Sequence, residues 1–134
     1  MRKLLISFTL TFITLVSFSQ VSKFRTSSFQ MKTKTDYGWS KWSEAKENNI
    51  LIVFDFDKER VTIFSKETQV YDIYQTYEKV TDQDGDYIFE FACVDAEGLK
   101  CHIRWVKLNS QNGRLQIYVD FSDIMWMYNV NMLD

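Results

Sequence analysis

Two runs of alternating side chains, Tyr87 to Val94 and Lys100 to Val106, flank the turn Asp95-Ala96-Glu97-Gly98 and together fix a strand register. In both runs apolar or cysteine side chains fall at odd numbers, the period of a half-buried strand. Asp at the first place of the turn and Gly at the fourth suit a type I turn closed by a left-handed glycine. Asp95 then pairs with Leu99, and counting back sets Cys93 against Cys101, Phe91 against Ile103, Glu90 against Arg104 and Phe89 against Trp105. A slip of one residue would turn each of these to the wrong face.

The next turn, Ser110-Gln111-Asn112-Gly113, is of the same kind. Closure at Ser110 and Arg114 is expected to set Trp105 against Val119, Ile103 against Phe121 and Arg104 against Asp120. Asn112-Gly113 as a two-residue turn changes parity and puts Trp105 opposite a polar-facing position, so the longer loop is preferred. A third turn at Ser122-Asp123 puts Val119 beside Trp126 and Ile117 beside Tyr128. The inner face then carries Phe89, Phe91, Ile103, Trp105, Ile117, Val119, Phe121, Trp126 and Tyr128. The outer face carries a charge row, Glu90, Arg104 and Asp120, and an apolar row, Ile88, Val106, Tyr118 and Met127.

Upstream, Lys23 to Lys34 reads as a first strand with Phe29 and Met31 as its buried pair. It needs a bulge, because Phe24 and Phe29 differ in parity. Ile50 to Phe56 follows, and a tight turn at Asp57-Lys58 sets Asp55 across from Arg60, Phe54 from Val61 and Ile52 from Ile63. Val61 to Phe64 and Gln69 to Tyr77 continue the pattern, and Asp82-Gln83-Asp84-Gly85-Asp86 turns the chain into Tyr87. Short connections between sequential strands predict an all-β, up-and-down antiparallel meander of about eight strands. It closes fully or partly into a small barrel, with an open β-sandwich as the alternative. The absence of proline and the presence of only four glycines leave little for long loops or disorder.

Residues 1–19 stand apart. Arg2 and Lys3, the apolar run from Leu4 to Phe18 and the small-x-small Ser17-Phe18-Ser19 read as a secretory signal peptide, leaving residues 20–134 as a single all-β domain. The run is too short and too hydroxylated for a comfortable membrane span, and it resembles the signals of small proteins exported by Gram-negative bacteria. The expected location is the periplasm, the outer surface or the extracellular space. Without Arg2 and Lys3, the 18 acidic side chains exceed what remains of the 16 basic ones by about four, so no nucleic acid is implied as a partner. Lys23, Arg25, Lys32, Lys34, Lys41 and Lys46 make the first quarter basic, and this segment is expected to lie against the acidic remainder. An exported chain meets an oxidising compartment, so the opposed Cys93 and Cys101 are expected to form a disulfide worth ~2.5 kcal/mol on the chain-entropy model. By this register they occupy a hydrogen-bonded pair, a less comfortable place for a bridge, and two buried thiols are the alternative.

Several short motifs have plain structural accounts. Asp55-Phe56-Asp57 after an apolar strand resembles the first motif of haloacid-dehalogenase-type phosphatases, but Glu59 stands where that family has Thr or Val, and no alternation of helix and strand follows. Asp82, Asp84 and Asp86 resemble a calcium loop with its glycine at the fourth place instead of the sixth and no closing glutamate, so a solvated turn is the default. Trp39-Ser40-Lys41-Trp42-Ser43 spells the signature of class I cytokine receptors and is similar to thrombospondin type 1 repeats; nothing else in the chain follows either family. Gly38-Trp39 loosely resembles the Gly-x-Trp of lipocalins, without its spacing. His102 cannot share a metal with both cysteines, because strand neighbours point to opposite faces.

No nucleophile elbow, phosphate loop or zinc spacing occurs in the sequence, so no catalytic residue, metal or cofactor is assigned. The expectation is a non-enzymatic, exported barrel scaffold that binds a protein partner of the envelope or extracellular space through Ile88, Val106, Tyr118 and Met127. Alternatively Trp39 and Trp42 fold over that row, or the barrel is a lipocalin-like carrier of a small apolar ligand. Against the carrier stand the large inner side chains, which would fill an eight-stranded interior.

Overall fold

Period-two alternation carries residues 20–134, those described by the computed structural model, into eleven strands; the signal-peptide reading of residues 1–19 lies outside the described residues. In chain order they are β1 (Val21–Thr35), β2 (Gly38–Trp39), β3 (Lys46–Glu47), β4 (Leu51–Asp55), β5 (Arg60–Phe64), β6 (Gln69–Thr76), β7 (Val80–Thr81), β8 (Tyr87–Asp95), β9 (Lys100–Leu108), β10 (Arg114–Asp120) and β11 (Ile124–Leu133). Eight of them pair antiparallel in the order β11-β10-β9-β8-β6-β5-β4-β1, and β1 returns to β11. The sheet is therefore a closed barrel, not an open sandwich, and closure removes the edges that such a meander would otherwise expose. The short strands β2 and β3 flank the far half of β1, and β7 lies on β8.

The ladder between β1 and β11 shifts register between Thr26 and Ser28, which lets both Phe24 and Phe29 contact the core. Phe24 is closed to solvent, whereas Phe29 and Met31, the expected buried pair, are half-buried. The cause is that β4 pairs only with Val21–Arg25, so the far half of β1 runs beyond the barrel wall.

Three hairpins have the expected register, with Phe89 opposite Trp105, Phe54 opposite Val61 and Val119 opposite Trp126. The β9–β10 hairpin does not. Leu108 pairs with Arg114, so Trp105 faces Ile117 instead of Val119, and Ile103 faces Val119 instead of Phe121. Asn109–Gln111 form a 3-10 turn, Asn112 (φ 59°) and Gly113 (φ 77°) are left-handed, and the Gly113 N–H donates to the Leu108 carbonyl at 2.9 Å. This longer loop is held from outside the hairpin: the Asp86 carboxylate accepts the Ser110 N–H at 2.9 Å and its hydroxyl at 2.9 and 3.0 Å. A shift of two residues keeps parity, so the inner face is unchanged and the outer rows are rearranged.

Rings from four strands meet across the barrel axis. Phe24 of β1 lies 4.8 Å from Trp105 of β9 and 5.7 Å from Phe54 of β4, and Phe54 lies 5.6 Å from Phe91 of β8. Each fully buried ring of this kind contributes about 1.5–3 kcal/mol through lost apolar surface. Cys93, Cys101, Ile103, Ile117, Val119, Val61 and Ile63 complete the same core.

Candidate functional site

The outer face is set by the observed ladders. Val106 stands opposite Ile88 on one side and Gln116 on the other, while Tyr118 stands opposite Arg104 and Met127. The expected apolar row is thus two half-rows, Ile88 with Val106 and Tyr118 with Met127, separated by the two-residue shift. Val106 and Met127 are each only 6% exposed. Trp42 packs on Tyr118 with ring centroids 6.1 Å apart, and the Arg104 guanidinium lies 4.2 Å over the same ring. Lys32 lies 4.6 Å from the Trp42 ring and 5.5 Å from that of Trp39. Ser43 fixes this segment to β1: its N–H donates to the Met31 carbonyl at 2.8 Å, and its Oγ accepts the Met31 N–H at 2.9 Å. The Trp39–Ser43 motif is thus a cover laid against the Tyr118 end of the outer face.

The charge row is redistributed in the same way. Asp120 stands opposite His102 and not Arg104, yet Arg104 reaches it diagonally through two hydrogen bonds of 2.6 and 3.3 Å. Glu90, opposite Arg104, instead meets His102 Nδ1 at 3.1 Å, and the His102 ring stacks on Tyr77 at 5.9 Å. Sequence reasoning missed this contact. Alternation sets His102 on the face opposite the cysteines, but it does not place Tyr77 there, because β6 carries a register shift between Ile73 and Gln75. Arg60 similarly bonds Asp72 at 3.1 Å, while Asp55 accepts the Lys58 N–H at 3.1 Å. Asp55 and Asp57 are thereby the polar end of a hairpin.

Around Ile88 the outer face is open. Val80 pairs with Ile88 and is 54% exposed, and Tyr77, stacked on His102, is 37% exposed; Tyr74, 53% exposed, lies toward the other end of β8. Lys79 lies 4.2 Å over the Tyr87 ring, on the other face of β8 from Ile88, and Lys100, which pairs with Val94, lies 5.7 Å from the Tyr74 ring.

Asp82, Asp84 and Asp86 bring their carboxylates within 4.8 Å of one another. Asp82 Oδ1 accepts the Asp84 and Asp86 N–H groups at 2.9 and 3.0 Å, and Asp86 holds Ser110, so the cluster is accounted for as the clasp between two loops. Cys93 and Cys101 are directly opposite, buried, and present as free thiols rather than a bridge. Burial first, then the neighbouring Cys101, pushes the Cys93 thiol up to about 12; burial and then Asp95 push Cys101 to about 12. Among the described residues the carboxylates within 4 Å of a basic side chain are Asp72 with Arg60, Glu90 with His102 and Asp120 with Arg104, so the lysines and arginine of the first quarter make no such contact. No helix among these residues is long and apolar enough to cross a membrane. No family model, curated protein or solved structure matches this chain.

Proposed function

We propose that the chain is an exported, non-enzymatic β-barrel scaffold that binds a protein partner of the envelope or extracellular space through the outer face around Ile88. The observation that carries this reading is the exposed Val80 paired with Ile88, with the exposed Tyr77 on the adjoining part of the same outer face beside Glu90 and His102. Two further features support it. Aromatic rings occupy the barrel axis, which leaves little room for cargo there. The outer charges Glu90, Arg104 and Asp120 are engaged with His102 and with each other. Relative to the row expected from sequence, the surface moves toward β6 and β7 and loses Val106, Tyr118 and Met127.

Val80→Asp combined with Tyr77→Ser tests the proposal, since both positions are exposed and the fold should survive. Cross-linking in the native envelope followed by mass spectrometry should show partner proteins with the wild type and lose them with the variant. Recovery of the same proteins by both, with unchanged thermal melting, would contradict this choice of surface.

A further inference from the structure

Strand β1 outruns its barrel partner. Thr33 is its last residue paired with β11, opposite Ile124, and the chain then turns through Asp36 and Tyr37 into β2. From Thr33 to Lys41 every residue except Gly38 is exposed, Tyr37 completely and Trp39 to 40%. Among the described residues Lys32, Lys34 and Lys41 have no carboxylate within 4 Å. This arm is thus basic and aromatic, with Asp36 as its one acid.

The barrel mouth beside it carries the opposite charge. The Lys34 N–H donates to the Asp123 carbonyl at 2.8 Å, so the arm rises next to the β10–β11 turn. Phe121 and Trp126, on either side of that turn, border an open cleft of about 580 Å³. Their rings meet at 5.9 Å and 73°, and both keep exposed surface. Glu67, Asp95 and Glu97 stand around the cleft with Lys66 as its one base. Like Asp123, these carboxylates have no basic side chain within 4 Å among the described residues. The arm does not close over its own mouth, because Trp39 and Trp42 lean toward Lys32 and Tyr118 on the outer face. Its complementarity to the mouth is left for another molecule. Since arm and mouth share one end of the barrel, a two-fold axis that brings two such ends together sets each arm against the other's mouth. That contact is self-complementary, made twice and closed.

We propose that two copies of the chain associate end to end by this exchange, with Tyr37 and Trp39 against the Phe121 and Trp126 rings and the arm's lysines facing Glu67 and Glu97. Tyr and Trp supply the apolar contact, as at other protein interfaces, and the opposed charges fix the pairing. This surface is separate from the Ile88 face and does not depend on it. Sedimentation equilibrium should show a monomer–dimer equilibrium at low salt that weakens by about tenfold or more between about 0.05 and about 0.5 M salt, as screening shortens the reach of exposed charges. Lys34→Glu with Lys41→Glu, and separately Glu67→Lys with Glu97→Lys, should each weaken self-association by about tenfold or more, because like charges then meet. An equimolar mixture of the two variants should restore the dimer, since the arm of each then meets a mouth of opposite sign. Val80→Asp with Tyr77→Ser should leave it intact. If a reversed variant loses the wild-type near-ultraviolet circular dichroism, Tyr37→Ser, at a ring that lies in solvent, takes its place and should also weaken the dimer. A wild type that stays monomeric at low salt, a dimer that survives both reversals or Tyr37→Ser, or a mixture of folded variants that remains monomeric would overturn the proposal.

Discussion

Arg104 stands opposite Tyr118 in the β9–β10 ladder, but its guanidinium passes that ring and binds the Asp120 carboxylate at 2.6 Å. The pairing sought from sequence is therefore present as a diagonal contact, and Tyr118 is enclosed by Arg104 on one side and Trp42 on the other. Both charged side chains are largely buried, at 26% and 18% exposure, so the pair is worth more than a surface salt bridge. Asp120→Ala should lower unfolding stability by about 1.5–3 kcal/mol in urea titrations. Asp123→Ala, in the exposed turn, should cost less than about 0.5 kcal/mol.

The Asp86–Ser110 clasp holds the β9–β10 loop in its longer form. Asp86→Ala removes the acceptor of the Ser110 N–H and of its hydroxyl, which both carboxylate oxygens share at 2.9 and 3.0 Å, and should destabilise the protein by about 1–3 kcal/mol. Amide exchange should quicken in residues 108–114 well before it does in β4 and β5. Uniform protection in the variant would mean that the hairpin sets its own register.

That clasp also marks how far local patterns can be read. The turns at Asp95-Gly98 and Ser122-Asp123 close within their own hairpins, so their residues determine the register, and the pairs Phe89–Trp105 and Val119–Trp126 follow from counting. The loop at 109–113 is held by a residue 24 positions earlier, Asp86, which periodicity does not reveal. Parity survived because the shift is even. The inner face could thus be read, as could the outer pairs Glu90–Arg104, Ile88–Val106 and Tyr118–Met127, but not the outer neighbours across β9 and β10. Ile88 keeps Val106 opposite it, as counted from the turn, and gains Val80 from the short strand β7, which counting did not place there.

Cys93 and Cys101 lie directly opposite in the core. If the chain is exported and folds in an oxidising compartment, intact mass should show the loss of two hydrogens, with the bridge adding roughly 2.5 kcal/mol. In the reduced, folded protein a water-soluble thiol reagent should react only at the rate of unfolding, because burial suppresses the thiolate. Rapid labelling of the folded form would contradict the burial of this pair.

The same shifts predict alkaline sensitivity. The folded-state values of both thiols rise from 9.0 to about 12, so above pH 9 the unfolded chain releases protons that the folded chain retains. Their contribution to stability is complete below pH 9 and is lost as the pH climbs toward 12. Tyr71, also raised by burial, acts in the same direction. Melting temperature should fall over this window in the reduced protein, and less steeply in an oxidised sample that has no thiols to titrate.

Filling of the barrel axis is the claim on which the assignment of surfaces depends, and Phe54 is its most sensitive point. Its ring is closed to solvent and has aromatic neighbours from β1, β8 and β9, so Phe54→Ala should cost about 3–5 kcal/mol. The most direct measurement is a nuclear Overhauser spectrum of the aromatic protons with residue-specific labels. Contacts from the Phe24 ring to both Trp105 and Phe54, together with Phe54 to Phe91, are the predicted result. Rings that show water exchange and no mutual contacts would mean an open sheet or a hollow barrel, and would contradict the account.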